Sequence, residues 1–198
     1  MPVGFLVVYS EPGSLVTLDE FQDWYDNEHV PLRLNHLHSF LTGARYLCVD
    51  GQVPSWTALY DVDDTATFSH ESYTRLRANR SPREAISIRK SKQGVITHGL
   101  GSDEEKAKQW FNKAVEELKY TQGWVRTRLF NCIDNLKTGV SVPPGPDAKL
   151  LTKYVTADAA SAPTTEAIIS SIPIAARISS LRKWRLYRAY PGIAQDNL

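Results

Sequence analysis

Apolar positions change period within the first forty residues. Residues 3–9, VGFLVVY, form a short β-branched and aromatic run that predicts a strand. From Leu18 the spacing lengthens: Leu18, Phe21, Tyr25, His29 and Leu32 recur every three or four residues and share one helical face. Thr17-Leu-Asp-Glu20 supplies the start, since an N-cap hydroxyl and a carboxylate three residues later can satisfy two orphan backbone donors reciprocally. Pro31 disfavours helical geometry at Val30, so the helix is expected to end or kink near Glu28 or His29.

The period then shortens again. ARYLCV and SWTALYDV, joined around Asp50-Gly51, predict a hairpin. A helix is expected over residues 65–78, and Ser81-Pro-Arg-Glu84 restarts helix to about residue 90, with a serine cap, proline in first position and glutamate in third. QGVITHGLG (93–101) is expected to be a strand, which gives β-α-β-β-α-β, the split βαβ or ferredoxin-like order.

The second half follows the same plan. Ser102-Asp-Glu-Glu105 is another capping box, and Trp110-Phe111-Asn112 echoes Trp24-Tyr25-Asp26. GWVRTRLFNCI, a Gly- and Pro-rich loop (135–149), the strand LLTKYVT, a helix around 164–181 and the strand RKWRLYRAY complete the order, with one strand missing or shared at the junction 88–101. The expectation is α+β: two ferredoxin-like repeats, 1–100 and 101–198, packed sheet to sheet as a pseudo-dimeric barrel. One repeat alone would leave a sheet face bare.

Composition narrows the partners. A formal net charge of +1 provides neither a basic stripe for nucleic acid nor a polybasic membrane patch. MPVGFLVVYSEPGS lacks a basic n-region and a small-residue cleavage site, so it reads as a first strand and not as a signal peptide. No apolar run approaches the roughly 18 residues of a membrane helix. Cys48 and Cys132 read as reduced core thiols, and the expected setting is cytoplasmic.

FQDWYDNEHVPLR, LRANRSPRE and RKWRLYRAYPG resemble the fungal EthD-like members of the dimeric α+β barrel superfamily, over nearly the whole chain. That superfamily includes muconolactone-type isomerases, polyketide cyclases, cofactor-free quinone-forming monooxygenases, haem-degrading enzymes and dye-decolorising peroxidases, so fold does not choose the chemistry. The resemblance implies a ligand between the sheet and the helices of one unit, with His and Tyr side chains pointing in. The matching positions are Trp24, Tyr25, Asp26, Glu28 and His29. The second half departs from the pattern, with Asn112, Lys113, Ala114 and Val115 in place of Asp26, Asn27, Glu28 and His29.

All five histidines, His29, His36, His38, His70 and His98, precede residue 99, which places the expected working pocket in the first repeat. His29 is the candidate general base, oriented by Asp26 or Glu28. Its bland alternative is a histidine that caps the helix end. His70 and Tyr73 share a helical face three residues apart; Tyr73, Tyr25 or Arg33 would stabilise an enolate, and His70 would shuttle its proton or simply occupy a surface turn. Trp24, Tyr25, Trp56 and Tyr60 are candidate aromatic walls, with Arg33 and His98 as further substrate contacts. Arg45 and Arg77 read as solvated charges. His36 and His38 form a His-X-His pair with no third ligand nearby, so no metal site is expected.

No phosphate loop, CxxC pair, nucleophile elbow or flavin fingerprint is present. No cofactor is therefore expected, with haem left open because one inward histidine suffices as its ligand. The expected function is a natural-product tailoring enzyme: a cyclase, isomerase, dehydratase or decarboxylase acting on an aromatic or polyketide-like carbonyl compound. The alternatives are cofactor-free oxygenation of a phenol or anthrone, and a non-catalytic binder of an aromatic metabolite. Homodimer formation through exposed barrel edges stays open.

Overall fold

The computed structural model describes residues 3–90, 92–94, 104–131, 133, 137–138, 153–158, 167–168, 171 and 182–190. The chain is mixed α+β and divides into two units, 1–95 with 136–145 and 184–198, and 96–135 with 146–183. Of the sequence expectations, His98, Cys132, the cap at Ser102, most of the strand over 93–101, the loop over 139–149 and most of the helix over 164–181 lie outside the described residues.

The first unit holds an antiparallel sheet. Its strands are β1 (Gly4–Glu11), β2 (Phe40–Cys48), β3 (Trp56–Val62) and β4 (Lys92–Gly94), ordered β4-β1-β3-β2. β2 and β3 form the expected hairpin, and Gly51 in the turn adopts φ 71°, a left-handed conformation that glycine takes without a Cβ penalty. Two further strands extend the sheet: β6 (Lys137–Thr138) pairs with β4, and β8 (Trp184–Tyr190) pairs with β2. The closing run RKWRLYRAY, expected beside the strands of the second half, thus completes the edge of the first sheet.

Residues 18–36 form one helical rod. α1 (Leu18–Trp24) begins at the capping box, with Thr17 Oγ1 accepting from the Glu20 amide at 3.2 Å and Glu20 returning to the Thr17 amide at 2.9 Å. The rod does not end at Glu28 or His29. Residues Tyr25–His29 form a π-helical turn, in which the Val30 amide bonds the Tyr25 carbonyl, and α2 (Val30–His36) continues from it with Pro31 in its first turn. Widening the turn before Pro31 accommodates the missing N–H and the ring, which a regular helix interior rejects. The turn also brings Trp24, Tyr25 and Asp26 into the buried layer as three consecutive residues, together with His29, Val30, Arg33 and Leu34.

The core lies between this rod and the sheet: Phe21, Trp24, Tyr25, Val30 and Leu34 pack against Phe40, Trp56, Ala58, Tyr60 and Val62. Gly43 lies opposite Tyr60, and a Cβ there would meet Leu34, Val30 and Tyr60 at 3.2–3.4 Å, so the rod rests directly on the strand. The helix expected over 65–78 is broken. A 3-10 turn covers Thr65–Ser69, His70 is extended (ψ 148°), and α3 (Glu71–Ala78) starts after it. α4 (Pro82–Lys90) begins at Ser81 as expected, with the Glu84 amide donating to Ser81 Oγ at 2.9 Å.

In the second unit α5 (Glu104–Leu118) buries Trp110, Ala114 and Leu118 at four-residue spacing, and β5 (Arg126–Asn131) pairs antiparallel with β7 (Lys153–Asp158). α5 has no π turn. Asn112 and Lys113 are exposed in it, whereas Asp26 in the first unit is buried.

Candidate active site

His29 ends the π turn with its residue 3% exposed, the ring lying 4.6 Å from that of Trp24 and 4.8 Å from that of Tyr25. Its Nδ1 bonds neither Asp26 nor Glu28. It donates to Glu84 Oε1 at 2.8 Å, and Glu84 Oε2 accepts from the Trp24 indole N–H at 2.6 Å. Arg33, one turn further along the rod, donates to the His29 carbonyl at 2.6 Å and lies 3.8 Å from the Glu84 carboxylate. One carboxylate from α4 therefore gathers an imidazole, an indole and a guanidinium from the rod.

The electrostatics of this group favour one protonation state. Burial, with the Arg33 charge adding to it, lowers the His29 pKa to about 4 against the opposing pull of Glu84, so the ring is neutral at neutral pH. Burial alone would raise the Glu84 pKa; the hydrogen bond from His29, the charge that ring gains at acid pH, the charge of Arg33 and the Trp24 N–H overcome it and lower the group to about 2. A carboxylate accepts and cannot donate, so the proton of neutral His29 sits on Nδ1 and the lone pair on Nε2. The ring is thereby fixed in tautomer and orientation.

Asp26 belongs to a second cluster. Its Oδ1 accepts from Arg45 Nη1 at 2.5 Å and from the Tyr190 hydroxyl, and its Oδ2 from Arg188 Nη1 at 3.1 Å and the Tyr187 hydroxyl at 3.3 Å. Burial opposes ionisation of Asp26, but the bonds from Tyr190 and Arg45 prevail and its pKa is lowered. Arg45 is no solvated charge. It is 1% exposed, and its guanidinium faces the rings of Tyr25 (4.4 Å), Trp56 (5.2 Å), Tyr187 (5.2 Å) and Phe21 (5.5 Å). Three residues of β8 thus grip a carboxylate on the helical rod.

The remaining candidates divide between these clusters and other places. Glu28 accepts from the Ser81 hydroxyl and lies 3.9 Å from Arg83, tying the rod to the start of α4. His70 is the exposed N-cap of α3, its Nδ1 accepting from the Ser72 amide at 3.2 Å. Tyr73 packs with Phe40 (6.2 Å) and Phe68 (5.4 Å). Trp24, Tyr25, Trp56 and Tyr60 all lie in the core, and the Tyr60 hydroxyl is buried without a hydrogen-bond partner. His36 and His38 are exposed, and among the described residues no three His, Cys, Asp or Glu side chains are grouped to hold a metal.

Sequence reasoning missed Glu84, because its position three residues after Ser81 explains it as half of a capping box. Its backbone does serve the cap, while its side chain turns to His29. The sequence held one signal: the triplet Glu84-Ala-Ile86 recurs as Glu166-Ala-Ile168, as Trp24-Tyr25 is echoed by Trp110-Phe111. No family model, no curated protein and no solved structure matches the chain, so its functional reading rests on the geometry of these two clusters.

Proposed function

We propose that the chain is a cofactor-independent acid–base enzyme acting on an aromatic or polyketide-like carbonyl compound, with His29 as the base. The observation that carries this reading is the neutral His29 ring whose Nδ1–H is anchored on ionised Glu84. With Nδ1 occupied, Nε2 is the nitrogen that would take a proton once a substrate displaces the packing around the ring, after which Glu84 would stabilise the imidazolium. Arg33 is the group for the enolate oxygen. A base with a pKa of about 4 is fully unprotonated at neutral pH but thermodynamically weak, so the matching substrate is an acidic carbon acid such as a 1,3-dicarbonyl. Cyclisation, isomerisation, dehydration and decarboxylation all proceed from such an enolate.

The accompanying fold proposal is two ferredoxin-like repeats closed into a pseudo-dimeric barrel. The strand order β4-β1-β3-β2 of the first unit supports it. The test of function is hydrogen–deuterium exchange at the α-carbon of aromatic 1,3-dicarbonyl compounds, followed by NMR, since it reads proton abstraction whatever the later step. Exchange above the buffer rate that disappears in His29→Gln is expected. Equal exchange in folded His29→Gln would remove His29 as the base. Dioxygen consumption with an anthrone would instead favour oxygenation.

One observation favours a second reading. The burial of His29 between Trp24 and Tyr25 suits a protein that holds an aromatic metabolite without turning it over. Saturable binding of such a compound without exchange, turnover or oxygen uptake would establish that reading.

A further inference from the structure

Four arginines, Arg75, Arg77, Arg80 and Arg83, fall within nine residues where α3 gives way to α4. Two of them have acidic neighbours: Arg75 lies 3.7 Å from Glu71, and Arg83 pairs with Asp23 and lies 3.9 Å from Glu28. Arg77 and Arg80 have no carboxylate partner among the described residues; Arg77 leans on the Tyr73 ring, its guanidinium 5.9 Å from the centroid. With Thr74 and Ala78 these two line an open cleft of about 280 Å³, and no acidic side chain lines it. The whole chain carries a formal charge of only +1, so this pair is a local excess and not part of a generally basic surface.

The chemistry narrows the occupant. The cleft is shallow and open to solvent, so its charge and not its volume selects the occupant. Guanidinium forks present paired donors to oxyanions, and two uncompensated cations match a dianion better than a monoanion. The Thr74 hydroxyl already faces the carbonyls of His70 and Glu71, so recognition falls to the two arginines. The last carbonyls of α3 oppose an anion and solvent screens the exposed site, which sets the expected affinity at about the millimolar level.

We propose that the cleft of Thr74, Arg77, Ala78 and Arg80 binds the phosphoryl group of a small phosphomonoester. The test is an NMR titration of the full ¹⁵N-labelled chain with glycerol phosphate, inorganic phosphate, acetate and chloride at constant ionic strength. Saturable shifts confined to the amides of residues 74–80 are expected with both phosphates, and none with acetate or chloride. Arg77→Ala or Arg80→Ala should weaken binding roughly tenfold, and the double variant should abolish saturation. Arg75→Ala, whose partner is Glu71, should stay within about twofold of the parent. Arg77 is exposed and Arg80 half-buried at the surface, so the variants should keep the parent circular dichroism. Absence of saturation, saturation that survives in the double variant, or acetate binding as well as phosphate would overturn the proposal. So would binding of inorganic phosphate with rejection of glycerol phosphate.

Discussion

Acidification tests the His29–Glu84 pair through stability, without any substrate. His29 has an ordinary pKa of 6.5 and a folded value of about 4, so the unfolded chain takes up its proton first as the pH falls. The stability from holding this ring neutral is complete above 6.5 and is lost between 6.5 and about 4. At 1.36 kcal/mol per pH unit the whole difference is about 3 kcal/mol, and most of it has gone by pH 4.5. Glu84 and Asp26 have lowered folded values, so their contributions hold above their unfolded values of 4.5 and 3.8 and fade below them. The window from 6.5 to 4.5 therefore isolates His29 from both carboxylates. Urea unfolding across that window should show the parent losing about 2–3 kcal/mol more than His29→Gln, whose side chain does not titrate. Parallel curves for the two proteins would refute a neutral, buried His29.

Three further outcomes follow from the same contacts. Glu84→Gln turns one acceptor into a donor facing the Trp24 or His29 N–H and removes the charge beside Arg33; a loss of about 3–5 kcal/mol in urea unfolding is expected, and a loss under about 1 kcal/mol would contradict the buried network. Asp26→Asn removes the charge shared by Arg45 and Arg188, and hydrogen exchange should show β8 opening much faster than β1, whereas equal protection of both strands would count against the grip. Gly43→Ala introduces a methyl at 3.2–3.4 Å from Leu34, Val30 and Tyr60 and should cost about 1–3 kcal/mol, seen as a lower melting temperature.

How far the sequence was legible depends on the range of the interaction. Local rules located β1, the Thr17 cap, the β2–β3 hairpin and the start of α4, because each is set by residues within a few positions of one another. The Pro31 rule located the break in the regular helix near His29 but not its form, because a π turn competed with termination; no residue type announces a π turn, and this one accompanies the burial of Trp24, Tyr25, Asp26 and His29 together. Periodicity also merged the 3-10 turn with α3, because an extended His70 leaves hydrophobic spacing almost unchanged. His29 was legible as a buried polar group on an apolar face. Its partner was not: Glu84 is 55 residues away and had a sufficient local explanation. Arg45 was misjudged for a related reason, as an arginine needs the aromatic faces of Tyr25, Trp56 and Tyr187 and the charge of Asp26 before burial is affordable, and these come from three separate elements, the π turn, β3 and β8.

The attachment of β8 to β2 has a consequence for biogenesis. Gly43 pairs with Tyr190, a separation of 190 − 43 = 147 residues. At roughly 5–20 residues per second, a ribosome takes on the order of ten seconds to reach residues 184–190 after β2 has emerged. During that interval the β2 edge is an open template for other strands, and Asp26 and Arg45 lack the cover of Tyr187, Arg188 and Tyr190. The nascent first half is accordingly the stage at which an open strand edge invites mispairing, and slower translation of the later segment should lower the soluble yield.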